Sequence, residues 1–156
     1  QAGTTTLLST EDAGTGDPAN GASFDPAITP DGKFVAFSTD ATNIIQAGVA
    51  RRQIIKLERE DPDTRSLVSQ GAGGFAADEH CYEPSISDDG NKIAFFTLAK
   101  DLGETLENDD FFDVYVRDES NGTTTRVSVN SSDEGGNGTR GFPGSPVTET
   151  RSALAP

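Results

Sequence analysis

The chain of 156 residues carries 26 acidic against 12 basic side chains, a formal net charge of −14, and 33% of its residues are hydrophobic. The length fits one ordinary domain or part of a larger one, and the apolar fraction is sufficient for a core, which argues against wholesale disorder. The negative charge argues against nucleic-acid phosphate as a partner, no apolar run is long enough to span a membrane, and the single cysteine excludes an intrachain disulfide.

Four sequence segments recur with one period. The serines at positions 9, 69 and 128 end three similar stretches and lie 60 and then 59 positions apart. The recurring segments are residues 4–9, 64–69 and 123–128; residues 24–32 and 82–90; residues 35–37 and 93–95; and residues 53–56 and 113–116. A shared period across four segments indicates a structural repeat of about 59 residues.

Each repeat is predicted to contain four short strands, which we call a to d in chain order. β-Branched and aromatic residues dominate these segments, and Gly, Pro, Asn and Asp separate them. In the first repeat the predicted strands are residues 26–29, 34–37, 54–57 and 66–69. Asp31-Gly32 and Asp89-Gly90 predict tight a–b turns. No stretch has a sustained 3.6-residue apolar period, so we expect no long helix.

These motifs resemble one family of repeats. The pattern P-x-I-S/T-x-D-G-x-x-I/V-A-F, followed by D-V-Y-V-R-D at residues 113–118 and G-T-T-T-R-V-S-V at residues 122–129, is similar to the TolB-type, WD-like β-propeller repeat. The resemblance covers residues 3–148. It implies an all-β fold of β-propeller blades, each a four-stranded antiparallel sheet.

The repeat divides the chain into four parts. Residues 1–23 are predicted to be a lead-in d-type strand and linker, residues 24–69 the first blade, residues 70–129 the second blade with its linker, and residues 130–156 a linker and the start of a third blade. Closed propellers typically have 4 to 8 blades, so two blades cannot close. We therefore expect an excerpt of a longer chain or an assembly that shares terminal strands, with residues 4–9 completing a preceding blade.

The longer loops are predicted to lie on one side of the blades. Because the strands alternate in direction, the short a–b and c–d turns fall at one end, and the b–c and d–a connections fall at the other. The long connections are residues 10–23, 40–52, 70–81, 98–112 and 129–141. Binding sites usually lie on loops held by a rigid scaffold, so this long-loop face is the expected location of any site.

An acidic segment before the second strand c is the predicted metal site. Asn108, Asp109, Asp110 and Asp113 supply four oxygen-bearing side chains within six residues, and Ca²⁺ prefers several such ligands. The spacing is not that of an EF-hand loop, and a solvated acidic turn is the alternative. Weaker clusters of the same type are Glu11-Asp12 with Asp17, and Asp133-Glu134.

The chain shows no catalytic motif, so no catalytic residue is predicted. His80-Cys81 could suggest a nucleophile and base, but neighbouring residues of an extended strand point to opposite faces, which favours a structural pair. A Ser-His-Asp triad lacks its elbow motif, and Ser87-Asp88-Asp89-Gly90 is better explained as a hairpin turn than as a sialidase Asp-box. Paired carboxylates for glycoside chemistry stay open, because their spacing is spatial.

Two further motifs have structural explanations. Asn121, Asn130 and Asn137 begin N-x-S/T sequons, which permit glycosylation in a secreted eukaryotic protein but are also common turn sequences. Arg51-Arg52 is the only basic pair and is too small for a nucleic-acid patch. The start at Gln1 and the lack of any Met suit a processed chain or an excised piece, with no visible targeting peptide.

Two functional hypotheses follow. The first is a non-catalytic, secreted or periplasmic scaffold that binds proteins or glycans, or that assembles with other chains or further copies through its terminal strands. The second, which the resemblance implies, is the propeller portion of a larger peptidase- or lyase-associated enzyme. The presence of one His and two Tyr in the whole chain favours the scaffold. No cofactor is expected apart from Ca²⁺.

Overall fold

The computed structural model describes residues 3–12, 14–45, 51–71, 73–102 and 111–129. These residues form eight strands and no helix, so the described part contains no helix that could cross a membrane. The first sheet consists of β1 (Ser23–Ile28), β2 (Phe34–Thr39), β3 (Gln53–Glu58) and β4 (Asp61–Leu67). The second consists of β5 (Cys81–Ile86), β6 (Lys92–Thr97), β7 (Asp113–Asp118) and β8 (Thr123–Arg126).

Each sheet is an antiparallel meander in which chain order equals spatial order. The two sheets pack face to face, with one hydrophobic cluster drawing residues from both. Successive four-stranded meanders stacked in this way are β-propeller blades. The predicted fold class is therefore confirmed, and we refer to the sheets as blade 1 and blade 2.

The a–b turns form as the sequence predicts. In blade 1 the Thr29 hydroxyl donates to Asp31 Oδ1 at 2.6 Å, and Gly32 has a φ of +70°. In blade 2 the Ser87 hydroxyl donates to Asp89 Oδ1 at 2.6 Å, and Gly90 has a φ of +74°. That hydroxyl bond is the main reason that the pKa of Asp89 falls to about 2. Glycine is needed at both turns because other residues rarely adopt a positive φ.

The a strands are longer than predicted and contain a bulge. β1 begins at Ser23 rather than at residue 26, and its register shifts between Phe24 and Ala27. β5 has the same shift between Tyr82 and Ser85. Asp25 and Glu83, each followed by proline, have φ values of 51° and 48° and form the irregular position. An extra residue in one strand breaks the alternation on which the prediction relied.

The bounds of the d strands also differ from those predicted. β4 covers Asp61–Leu67 instead of residues 66–69, and β8 covers Thr123–Arg126 instead of residues 123–129. Asp61-Pro62-Asp63 reads as a turn in the sequence, yet it lies in a strand. Strand d is the edge of its sheet, where proline is tolerated because no outer neighbour needs its missing N–H. Ser69 leaves the strand and its hydroxyl donates to Gln53 Oε1 at 2.6 Å.

The core lies between the two blades. Apolar residues from β2, from β3 and from the position directly after β4 meet those of β6 and β7, with Phe95 and Tyr115 stacked at a ring-centroid distance of 6.3 Å. The buried members are Ala36, Ile54, Val68, Ala77, Cys81, Ile93, Phe95, Ala99, Leu102 and Tyr115. Consecutive residues of β2 point to opposite faces and both faces are covered, as the apolar run in strand b predicts.

The opposite face of blade 1 has its own buried cluster. Val35, Phe37 and Leu57 belong to it, and Leu8 from the N-terminal segment packs against it. Residues 3–9 lie in no strand, although Thr10 forms a bridge with Pro18. The prediction that residues 4–9 complete a preceding blade stays a prediction, as do the proposed domain boundaries. Residues 130–156 lie outside the described part.

The opposite face of blade 2 is less covered than predicted. We expected Phe34, Phe96, Val114 and Val116 to be largely buried, together with Val35, Phe37, Ile93 and Phe95. The last four are buried, whereas Phe34, Phe96 and Val116 are half-buried and Val114 is exposed. Phe96, Val114 and Val116 point away from blade 1, which accounts for the difference at these three residues; Phe34 lies at the start of β2 in blade 1. We call the surface formed by Phe96, Val114, Val116 and Val127 the open face.

Replacing Phe95 by alanine should lower the free energy of unfolding by about 3–5 kcal/mol, because this side chain is 2% exposed and would leave a cavity between the blades. The measurement is urea unfolding of the wild type and the variant. Phe75→Ala is the matched control: Phe75 is 72% exposed, and its loss should cost no more than about 0.5 kcal/mol. Equal losses at the two positions would contradict the assignment of the core.

Candidate functional site

A polar cleft lies between the blades on the long-loop face. β2 ends at Thr39, β3 begins at Gln53 and β5 begins at Cys81, so the residues just outside these strand ends meet at one end of the sheets. The cleft has a volume of about 320 Å³ and is lined by Asp40, Arg51, Arg52, His80 and Tyr82. The expectation that the long loops carry any binding site stays a prediction, and this cleft is the candidate at that end of the sheets.

Arg52 organises the cleft. Its guanidinium donates to both carboxylate oxygens of Asp40, at 3.0 and 2.9 Å. It also lies over the ring of Phe24 at 4.1 Å and faces Tyr82, from blade 2, at 5.4 Å. The hydrogen bonds from Arg52 lower the pKa of Asp40 below its ordinary value of 3.8, and those to Asp40 raise the pKa of Arg52. One arginine therefore connects an aromatic residue from each blade.

Backbone bonds fix His80 beside Arg52. The Arg52 backbone N–H donates to His80 Nδ1 at 3.0 Å, and the Cys81 N–H donates to the Arg52 carbonyl at 2.9 Å. Because Nδ1 accepts a hydrogen bond, the ring proton of the neutral imidazole lies on Nε2. The Thr97 hydroxyl holds the His80 carbonyl at 2.9 Å. The imidazole is thus held in one tautomer at the edge of the cleft.

The charged groups of the cleft pair with one another. Arg51 pairs with Glu79 at 2.8 Å, and Arg52 pairs with Asp40. A general acid needs a carboxyl that keeps its proton, whereas the pKa of Asp40 is lowered. The arginine, imidazole and carboxylate groups beside the ring of Tyr82 can hydrogen-bond and stack on a polar ligand, such as a peptide or a sugar.

His80 and Cys81 lie in different environments. Cys81 is fully buried between the blades, and burial raises the pKa of its thiol to about 12. His80 is half-buried at the cleft. The thiolate is the nucleophilic form of cysteine, so this thiol is unsuited to that role at neutral pH. The geometry agrees with the structural interpretation of the pair.

Of the predicted metal ligands, only Asp113 is described; Asn108, Asp109 and Asp110 lie outside the described residues. Asp113 is buried, and its Oδ1 accepts from the Ser128 hydroxyl at 2.6 Å and pairs with Arg126 at 2.9 Å. Gln53 occupies the matching position in blade 1 and accepts from Ser69 in the same way. Asp113 therefore has a structural function shared by both repeats, and calcium binding stays a prediction.

The other acidic clusters and sequons are only partly described. Glu11 and Asp17 both contact the Thr15 hydroxyl, at 2.8 and 2.9 Å, within one exposed loop. Asn121 Oδ1 accepts from the Thr123 N–H and hydroxyl, which is the turn geometry expected of an Asn-Gly pair. Among the described residues no group of three or more His, Cys, Asp or Glu could hold a metal ion. Asp133, Glu134, Asn130 and Asn137 lie outside the described residues.

Sequence reasoning missed two arginines. In the sequence Arg52 stands out only as part of a basic pair. In the structure it directly precedes β3 and lies between Phe24 and Tyr82, two aromatic residues at matching positions of the two repeats. Arg65 has a side chain that is 2% exposed, and it donates to the carbonyls of Thr10 and Ile44 at 2.8 and 3.1 Å. It thereby ties the N-terminal linker to the b–c loop. A buried arginine within a polar strand d leaves no periodic signal.

Cys81 should react very slowly with a thiol reagent in the folded protein. At pH 8 a thiol with a pKa of about 12 has about 1,000-fold less thiolate than one with the ordinary value of 9.0. The measurement is the rate of colour release from an aromatic disulfide reagent, with guanidinium-unfolded protein as the control. A folded protein that reacts as fast as the unfolded one would contradict the burial of Cys81.

If Asp109, Asp110 and Asp113 bind Ca²⁺, chelation should lower the melting temperature and added Ca²⁺ should restore it. A ligand that binds only the folded state stabilises it by about 2.7 kcal/mol at 100 times its Kd. Asp109→Asn with Asp110→Asn should abolish the response, and Asp88→Asn, which removes one acidic charge at an exposed turn, is the control and should keep it. An unchanged melting temperature at millimolar Ca²⁺ would leave the solvated-turn interpretation.

No protein-family model matches the chain, and no curated protein is detectably similar to it in sequence. Among solved structures the chain is similar to the crystal structure of TolB from Acinetobacter baumannii, with a TM-score of 0.37 and 16% sequence identity. The similarity covers 80% of this chain but only 38% of that one. The assignment of propeller blades therefore rests on the strand order and the packing of the two sheets described above.

Proposed function

We propose that this chain is a unit of a non-catalytic β-propeller scaffold of the TolB type, secreted or periplasmic, which packs against further blades through the open face of blade 2. The long-loop face, with its cleft, would bind a protein or glycan partner. The observation that carries the proposal is that the open face occupies the same strand positions in blade 2 as the buried face occupies in blade 1. The secreted or periplasmic location is proposed from the resemblance of the repeat to the TolB type.

The match follows from the strand registers. In blade 1, Phe24, Ser38 and Ile54 pair across β1, β2 and β3, and the Val68 N–H bonds to the Ile54 carbonyl. This row faces blade 2. In blade 2 the corresponding row, 58 to 60 positions later, is Tyr82, Phe96, Val114 and Val127. Within each row the residues share one face, because paired residues of neighbouring strands point to the same side of a sheet. The two rows occupy matching positions of the repeat, so they lie on the same side of their sheets.

Burial differs sharply between the two rows. Ile54 and Val68 are 0% exposed because blade 2 covers them, whereas their counterparts Val114 and Val127 are 40% and 48% exposed. Covering apolar surface is favourable by about 25 cal/mol per Å². A further blade, from a longer chain or a second copy, would cover the open face as blade 2 covers blade 1. A contiguous exposed apolar surface of this kind is typical of an interface.

The described residues support the non-catalytic part of the proposal through their pairing. The thiol of Cys81 is buried, and the carboxylates of Asp40 and Glu79 at the cleft are each held by an arginine. The alternative, a propeller portion of a larger enzyme, rests on the resemblance alone, and no described contact favours it.

The test is the association state of the chain. Light scattering should give a mass above 16.3 kDa that rises with concentration, because copies cover each other's apolar faces. Val114→Lys with Val127→Lys should shift the protein to the monomer without a loss of folding, since both side chains are exposed in the single chain. Deleting residues 1–9 tests separately whether that segment completes a neighbouring blade.

Phe75→Lys is the matched control, because Phe75 is exposed but lies in the linker before blade 2, away from the open face. This variant should associate as the wild type does. If the wild type, the double lysine variant and the truncation are all monomers with the same melting temperature, the open face is not an interface and the proposal fails.

A further inference from the structure

A groove lies on the face of blade 1 that points away from blade 2, which we call the outer face. Its volume is about 280 Å³, and Leu7, Leu8, Pro26, Val35 and Phe37 are among the residues that line it. The two leucines come from the N-terminal segment, and the other three residues come from β1 and β2. The groove and the open face of blade 2 therefore lie at opposite ends of the pair of blades.

The strand side of the groove matches a surface that is buried in blade 2. Phe37 corresponds to Phe95, 58 positions later, which belongs to the core between the blades. The a strands beside these residues differ in exposure, because Ile28 of β1 is 57% exposed whereas its counterpart Ile86 packs against that core. Blade 1 covers this surface of blade 2, while the same surface of blade 1 is open to solvent at Ile28.

The N-terminal side of the groove matches the end of strand d in blade 1. The Thr10 N–H donates to the Leu8 carbonyl at 2.9 Å, and the Gln70 N–H donates to the Val68 carbonyl at 2.8 Å. Leu8 packs against the apolar cluster of blade 1, as Val68 packs in the core between the blades. The N-terminal segment thus lies where the d strand of a covering blade would end, and the groove is the space beside it that strands b and c of that blade would fill.

The open face of blade 2 carries residues that suit this space. In the blade 1–blade 2 contact, Ala36 of β2 and Ile54 of β3 pack with Val68 in the core. Their counterparts are Ala94 and Val114, 58 and 60 positions later, and Val114 is 40% exposed. One chain therefore has both halves of a blade-to-blade contact, one on each of its two outward faces.

The charges at the turn end differ in both halves together. In the blade 1–blade 2 contact, Lys56 Nζ lies 3.6 Å from Glu119 Oε2. Val116 has the position of Lys56 in blade 2, and Arg59 has the position of Glu119 in blade 1. The N–H groups of Arg59 and Glu119 each donate at 2.8 Å to the carbonyl of the residue before strand b, which confirms the match. A lysine at position 116 would meet the like charge of Arg59 in a second copy, and valine avoids this repulsion.

The long-loop end also differs in both halves. Across the blade 1–blade 2 contact the Arg52 N–H donates to His80 Nδ1, and the Arg52 guanidinium faces Tyr82. Phe112 has the position of Arg52 in blade 2, and its ring lies 6.0 Å from that of Tyr82. Ala22, ahead of β1, has the position of His80. Apolar groups therefore replace polar ones on both surfaces at this end.

We propose that the open face of one copy of this chain docks into the groove on blade 1 of the next copy, so that copies associate head to tail. The inference rests on the function proposed above and names the partner of the open face. Because two different surfaces meet, each contact leaves one open face and one groove free to bind further copies.

Docking requires the N-terminal segment to move aside. Val127 of the docking copy and Leu8 of the receiving copy have the same position in the repeat. The Val127 N–H donates to the Val114 carbonyl at 2.8 Å, whereas residues 3–9 lie in no strand. The segment is therefore the part that yields, and deleting residues 1–9 should not weaken the association.

The test is a charge exchange across the contact, measured as the dissociation constant by sedimentation equilibrium. Val116→Lys should weaken the association at least about tenfold, because it places a lysine beside Arg59 of the next copy. Adding Arg59→Glu should restore the association to within about threefold of the wild type, since it recreates the pair that Lys56 forms with Glu119. Arg51→Glu makes the same change in charge at the long-loop end, and it should not restore the association.

The outcomes separate this inference from the function proposed above, provided that circular dichroism shows each variant to be folded. A wild type that stays monomeric would overturn both. If Val114→Lys with Val127→Lys abolishes association but Arg59→Glu does not restore it in the Val116→Lys variant, the open face remains an interface and the groove is not its partner. A folded truncation of residues 1–9 that is monomeric would also overturn the docking of β8 beside the groove.

Discussion

The contact between the two blades is the constraint on which the other features of this structure depend. A four-stranded sheet whose strands are apolar on both faces must cover both, and neither blade can do so alone. Ala36, Ile54 and Val68 of blade 1 are covered by Phe95 and Tyr115 of blade 2. The same stacking creates the cleft, because Arg52 can lie between an aromatic ring of each blade only when the blades are neighbours.

The architecture could be predicted from the sequence because the same pattern of strands and turns occurs in both repeats. Strand b and the Asp-Gly turns are local features whose residues suit only one conformation. The bulges at Asp25 and Glu83 and the strand through Pro62 could not be predicted, since both break the local rule that defines a strand. They are tolerated because the bulged strand keeps its pairing on either side and the proline lies at a sheet edge.

The site was less predictable than the fold. Strand alternation correctly indicated which face would carry the long loops, but it could not show which side chains of those loops meet. Arg52 and His80 are 28 positions apart and belong to different blades, so their contact depends on tertiary packing.

Comparison of the two blades also defines what can cover the open face. At the turn end of its buried face, blade 1 has Lys56, which bonds to the Gly90 carbonyl at 2.9 Å and approaches Glu119 at 3.6 Å. Blade 2 has Val116 at the position that matches Lys56. A valine cannot pair with an acid, so an acid at the place of Glu119 in a covering blade would lack the lysine contact and would keep only a pair within its own blade, such as that of Glu119 with Arg117 at 3.5 Å. A contact at the open face would therefore differ from the blade 1–blade 2 contact at the turn end, where Val116 offers apolar packing in place of the lysine bonds.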